Sequence, residues 1–79
     1  MIELYAIVSE PSGEIYVGIV LNAVKRLKEH NHGKNRYTKG LRPWRIMYIE
    51  NFPDWISARQ REKYLKSGVG KEFLRSLVP

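Results

Sequence analysis

The chain has no cysteine, so neither a disulfide framework nor a thiolate zinc site is available to it. No apolar stretch approaches the roughly 18 residues that a membrane span requires. The start, Met-Ile-Glu-Leu-Tyr, has neither the basic region nor the long apolar run of a secretory signal. The expected setting is a reducing cytoplasm with no membrane contact. A Gly-x-x-x-x-Gly-Lys loop is also missing, which excludes P-loop nucleotide hydrolysis, and no nucleotide cofactor is expected. Glu62 apart, the acids fall at turns, caps or exposed positions and not in the carboxylate cluster of a two-metal nuclease. No spacing supports a Ser/His/Asp triad.

Seventy-nine residues make one domain, 1–79, with no room for a separate targeting domain. A chain of this size buries about 60–65% of its unfolded surface, so its core is modest. Hydrophobic content of 43% and charged content of 28% are those of a folded globular protein. Positive charge is what the chain has in excess, and it sits in one place. Of the net +6, residues 1–24 carry −3, residues 25–45 carry +7 and residues 46–79 carry +2. That concentration is the electrostatic footprint of a polyphosphate binder. Its expected contacts are Lys25, Lys28, Lys34, Arg36, Lys39 and Arg42.

Apolar residues alternate from Ile2 to Val8 and again from Ile15 to Ile19, and Pro11-Ser12-Gly13 between them signals a turn. The two runs predict a hairpin. Tyr5 and Tyr16 share a sheet face only if paired residue numbers sum to an odd value, which a four-residue loop gives and a three-residue loop does not. Asn22 is a good N-cap for a helix over Ala23 to His32, closed by Gly33, with Leu21, Val24 and Leu27 facing inward. Gly33 to Arg42 reads as an exposed basic loop. Trp44 to Ile49 alternates as a third strand, and Asp54 caps a second helix running to about Ser67. A last short helix follows Gly70, with Phe73, Leu74 and Leu77 packing back. The order is β-β-α-β-α-α.

Trp55, Ala58 and Leu65 mark the buried stripe of the second helix, and the position that completes it holds Glu62. A carboxylate on a core-facing line costs free energy unless it is paired, protonated or bound to a metal. Arg59 and Lys66 are placed to pair with it. A lone inward carboxylate also suits a hard cation such as Mg²⁺, which keeps several waters and takes one or two protein oxygens. Arg26 and His30 stand four apart on one helical face, where a guanidinium can oppose phosphate charge and an imidazole can move a proton near neutral pH. Gly18 allows a close approach beside Tyr16.

These pieces resemble the GIY-YIG endonuclease domain over nearly the whole chain. Leu4-Tyr5-Ala6 stands where the first motif would be and Tyr16-Val17-Gly18 where the second would be, with the tyrosines eleven positions apart. Arg26 follows in Arg-Leu-Lys-Glu-His-Asn, His30 four further, and Glu62 in Arg-Glu-Lys-Tyr-Leu-Lys matches the family's metal-binding glutamate. The first motif departs from the family pattern, with Leu4 and Ala6 around its tyrosine in place of Gly-Ile-Tyr. The resemblance implies an α+β fold with a three-stranded antiparallel sheet flanked by helices. It implies hydrolysis of phosphodiesters in DNA, RNA being left open, with one Mg²⁺ or Mn²⁺ on Glu62. A tyrosine with His30 would help activate the water and Arg26 would stabilise the phosphate. Structure-selective or weakly specific cutting in repair or recombination is expected, a protein partner supplying any targeting. The competing reading is a nucleic-acid-binding module that kept the fold without the chemistry. The position of Glu62 divides the two, since a carboxylate merely salt-bridged to Arg59 would make the motif a remnant.

Overall fold

β1 (Ile2–Ser9) is buried along almost its whole length, on both faces. It lies in the middle of a three-stranded antiparallel sheet of order β2-β1-β3, between β2 (Ile15–Val20) and β3 (Trp44–Phe52). The expected α+β architecture is therefore present. Leu4, Ala6 and Val17 enter one core with Leu65 and Leu74, while Tyr5, Ile7, Ala23 and Trp44 form another on the opposite face. The strict alternation of β1 thus does not divide core from solvent; it divides two cores. The structure is a computed structural model and describes residues 1–78.

The hairpin settles the parity of the tyrosines. Tyr5 pairs with Gly18 and Ile7 with Tyr16, so paired numbers sum to 23, an odd value. The four-residue loop Glu10–Gly13 is closed by Ser9 N–H donating to Glu14 O at 2.8 Å, with Gly13 at φ +76°. Both phenols therefore lie on one face. β3 shifts register by one residue between its pairings with Ala6 and Ile7, leaving Met47 as the extra residue of a bulge. That lets Trp44 and Ile46 face the tyrosine side while Tyr48 and Phe52 face the other.

Helix α1 (Ala23–Asn31) begins at Asn22, whose side chain accepts from Lys25 N–H, and Ala23 N–H donates to Glu3 Oε1 at 2.7 Å. It ends one residue before the predicted His32, which is its C-cap. Its inward face differs from the expectation: Leu21 and Val24 are exposed, and the buried line is Ala23, Leu27 and His30. The smallest residue, Ala23, lets the helix approach the sheet closely. The predicted loop Gly33 to Arg42 contains a single helical turn, α2 (Arg36–Lys39), so the order is β-β-α-α-β-α-α. Asn35 caps that turn by accepting from Tyr37 N–H and Thr38 N–H, which carries Thr38 into the interior.

Helix α3 (Trp55–Lys66), capped by Asp54, buries Ala58, Glu62 and Leu65, whereas Trp55 at its start is half exposed. Ser67 closes α3 and caps α4 (Gly68–Ser76). A Cβ on Gly70 would run into Tyr64 O and Leu65 Cα, so glycine is what lets the two helices meet this closely. Of the three residues expected to pack back from α4, Leu74 is fully buried, while Phe73 and Leu77 stay partly exposed.

Candidate active site

The sheet face that carries the tyrosines is covered by α1 and α2, and three rings meet there. Tyr16 and His30 lie with centroids 5.0 Å apart in an edge-to-face arrangement, Tyr5 and His30 at 5.9 Å, and Tyr5 and Tyr16 at 6.4 Å. Tyr5 and His30 are both fully buried, at 2% and 0% exposure, whereas Tyr16 retains access to solvent. The close approach that Gly18 allows is made by Tyr5. The Tyr5 ring lies across that glycine, and a Cβ there would meet Tyr5 Oη at 2.7 Å.

The polar atoms of this cluster form a chain. Tyr5 Oη is 3.0 Å from His30 Nε2, and His30 Nδ1 is 2.8 Å from Thr38 Oγ1. The Thr38 hydroxyl lies 3.4 Å from Asn35 O, a carbonyl that can only accept. With Thr38 donating to Asn35, His30 Nδ1–H donates to Thr38 and the Tyr5 hydroxyl donates to the bare Nε2. Burial, and next the positive charge of Arg26, hold the His30 pKa below its ordinary value, so the imidazole is neutral. Burial likewise pushes the Tyr5 phenol up to about 12, partly offset by the nearby Arg26 guanidinium. Tyr5 therefore remains a donor at neutral pH.

Arg26 closes the cluster toward solvent. Its Nη1 is 2.8 Å from Glu29 Oε1, and that pair leaves both side chains about one-third exposed. Glu62 is 7% exposed and has both of the partners that its spacing suggested: Arg59 at 3.5 Å on Oε1 and Lys66 at 3.1 Å on Oε2. The two cations are more than half exposed, so solvent screens the pairing. The carboxylate is also felt at the cluster, as one of the charges that raise the Tyr5 pKa. The carboxylate is thus ion-paired and also acts through its charge on Tyr5. Among the described residues no three His, Cys, Asp or Glu side chains converge on one point. A metal held here would have Glu62 as its protein ligand and would take its other oxygens from water and substrate, a donor set that fits Mg²⁺ or Mn²⁺.

All six cations expected to meet nucleic acid, Lys25, Lys28, Lys34, Arg36, Lys39 and Arg42, are exposed. Arg42 Nε donates to Lys39 O, and the others have no ion pair among the described residues. Thr38 escaped the sequence reading because it lies in a run of glycine and basic residues. The signal that could have found it is Asn35, a capping residue three positions earlier.

The GIY-YIG catalytic domain family model matches residues 1–74. The chain belongs to that family. A UPF0213 protein of Clostridium perfringens is 40% identical over 53 residues, covering 66% of this chain and 57% of that protein. One from Bacillus licheniformis is 38% identical over 63 residues, covering 78% and 65%. This GIY-YIG chain thus spans little more than half to two thirds of the length of those relatives. The human structure-specific endonuclease subunit SLX1 is 30% identical over 64 residues, which cover 75% of this chain and 23% of that protein. The solution NMR structure of a UPF0213 protein from Bacillus halodurans matches with a TM-score of 0.55 at 32% identity, over 99% of this chain and 86% of that one. Among the described residues no helix is long and apolar enough to cross a membrane.

Proposed function

We propose that this GIY-YIG domain is a metal-dependent endonuclease that hydrolyses phosphodiester bonds in DNA. The observation that carries the reading is the convergence of Tyr5, Tyr16 and His30 on one face of the sheet, with Arg26 at its edge and Glu62 in electrostatic reach. Tyr16, the phenol with solvent access, orients the attacking water. His30 is the base behind it: its neutral imidazole turns a lone pair to the Tyr5 hydroxyl, and Thr38 holds the opposite nitrogen's proton. A proton leaving water can thus be taken up by His30 through a phenol that keeps its own proton at rest. Arg26 opposes the charge that grows on the phosphate oxygens, with Glu29 fixing its orientation. Glu62 would hold Mg²⁺ or Mn²⁺, which when bound supplies positive charge to the phosphate and the leaving oxygen.

The basic surface of residues 25–45 contacts phosphates, which gives affinity without sequence information. The relation to a protein named as a structure-specific endonuclease subunit supports structure-selective cutting, in repair or recombination and directed by a partner protein. A cytoplasmic setting belongs to the same reading. The alternative is a binding module without chemistry, favoured by one observation: Arg26 is already paired to Glu29, and Glu62 to Arg59 and Lys66. Flap, fork, single-stranded and duplex DNA incubated with Mg²⁺ or with EDTA separate the two. The nuclease cuts at least one of them in Mg²⁺ and none in EDTA. Salt-sensitive binding without cutting of any would establish the alternative.

A further inference from the structure

Tyr16 also lines a cleft of about 430 Å³ between the hairpin turn, α2 and the C-terminal helix pair, whose lining includes neither Tyr5 nor His30. The floor of the cleft is apolar, made by the buried Val17, Leu65 and Leu74. One wall is aromatic: the Tyr37 ring lies 6.0 Å from that of Tyr16, tilted by 33°, and is 59% exposed. The opposite wall carries Lys66, Lys71 and Arg75, against which the cleft sets a single acid, Glu14. Lys71 and Arg75 are four apart on α4, so they point the same way, and neither has an ion pair among the described residues. None of these three cations belongs to the basic segment 25–45.

We infer that this cleft binds one unpaired nucleotide of the nucleic-acid strand that enters the neighbouring site, the base against Tyr37 and the flanking phosphates on Lys71 and Arg75. The volume is at the lower end of small-ligand sites, about 300–1,000 Å³, which suits one nucleotide and not a duplex. An exposed aromatic face stacks a base only if that base has left its own stack, so Tyr37 reads unpaired strand. Two residues join the cleft to the proposed site: Tyr16 on one side, and Lys66, whose Nζ reaches Glu62 Oε2, on the other. A nucleotide held there places its neighbouring phosphate toward the cluster. The inference rests on the nuclease reading for its purpose, but binding can be measured without cleavage.

The test is fluorescence anisotropy in EDTA with a blunt duplex, with the same duplex bearing a single-stranded thymidine tail, and with thymidine monophosphate as competitor. Wild type is expected to prefer the tailed probe. Tyr37→Ala should weaken tailed binding roughly 5- to 100-fold while leaving the blunt duplex within about twofold. Tyr37→Phe, which keeps the ring, should restore it. Lys71→Gln with Arg75→Gln should reduce the slope of log affinity against log salt by roughly 1.5 on the tail. Equal weakening of both probes by Tyr37→Ala, no weakening of either, or monophosphate binding as tight as the tailed probe would overturn the inference. Each of those results leaves cleavage by the nuclease untouched. Conversely, a wild type that never cuts but keeps the Tyr37-dependent preference would refute the nuclease and spare the cleft.

Discussion

Gly18→Ala tests how tightly the phenol cluster is built. The added methyl would meet Tyr5 Oη, Cζ and Cε1 at 2.7–2.9 Å, some 0.5–0.7 Å inside the 3.4 Å at which ordinary contact begins. Tyr5 cannot retreat cheaply, because Ile7, Ala23 and Trp44 pack with it in the same core and its hydroxyl is spent on His30. Overpacking of this kind costs about 1–3 kcal/mol. Loosening the Tyr5–His30 hydrogen bond adds about 1 kcal/mol. Alanine's better strand behaviour returns about 0.5–1 kcal/mol. The net loss of about 1–3 kcal/mol corresponds to a fall in Tm of roughly 5–20 °C for a domain of this size. Thermal unfolding followed by circular dichroism reads it, and Gly40→Ala is the control, since a Cβ there meets nothing within 4 Å. An unchanged or higher Tm for Gly18→Ala would refute the close approach.

Three further outcomes are expected. The raised Tyr5 pKa means stability present below about pH 10 is lost as pH climbs through about 12. Tyrosinate absorbance should show a late-ionising phase that Tyr5→Phe abolishes, and its persistence in that variant would contradict the assignment. The lowered His30 pKa has the opposite sense. Below its unfolded value of about 6.5 the unfolded chain takes up a proton that the native one refuses, so stability falls with acid through that window. Denaturant midpoints between neutral pH and mild acid should decline more steeply in wild type than in His30→Gln; parallel curves would count against a buried neutral imidazole. Gly70→Ala should destabilise by more than about 2 kcal/mol, because the clash is with backbone at Tyr64 and Leu65, and a loss under about 0.5 kcal/mol would contradict the helix contact.

Spacing alone carried much of the fold. The two hairpin strands, the Asn22 and Asp54 caps and the Ala58–Glu62–Leu65 stripe were all legible because each has its own local periodicity or capping chemistry. The inward line of α1 was not, since Val24 looks more apolar than Ala23 and only the approach of the sheet decides between them. The bulge at Met47 depends on pairing with β1 and leaves no mark in β3 itself. In the candidate site, Tyr5, Tyr16 and His30 lie together, an arrangement that depends on the hairpin parity, which spacing alone left open. Their chain through Thr38 was hidden, because its last member sits in a turn that composition describes as loop. The cations of α4 were hidden likewise: only the tertiary fold brings Lys71 and Arg75 to Tyr16.

Whether the Glu62 carboxylate serves chemistry or only its ion pairs separates a nuclease from a binding module. Single-turnover cleavage by Glu62→Gln and Arg59→Gln, each checked for its unfolding midpoint, decides this most directly. The two substitutions break the same 3.5 Å pair from opposite ends. Loss of roughly 100-fold or more in Glu62→Gln, with Arg59→Gln within about threefold of wild type, is the predicted result. Equal activity in all three proteins, or equal losses that track stability, would make Glu62 a structural carboxylate and contradict the proposed nuclease.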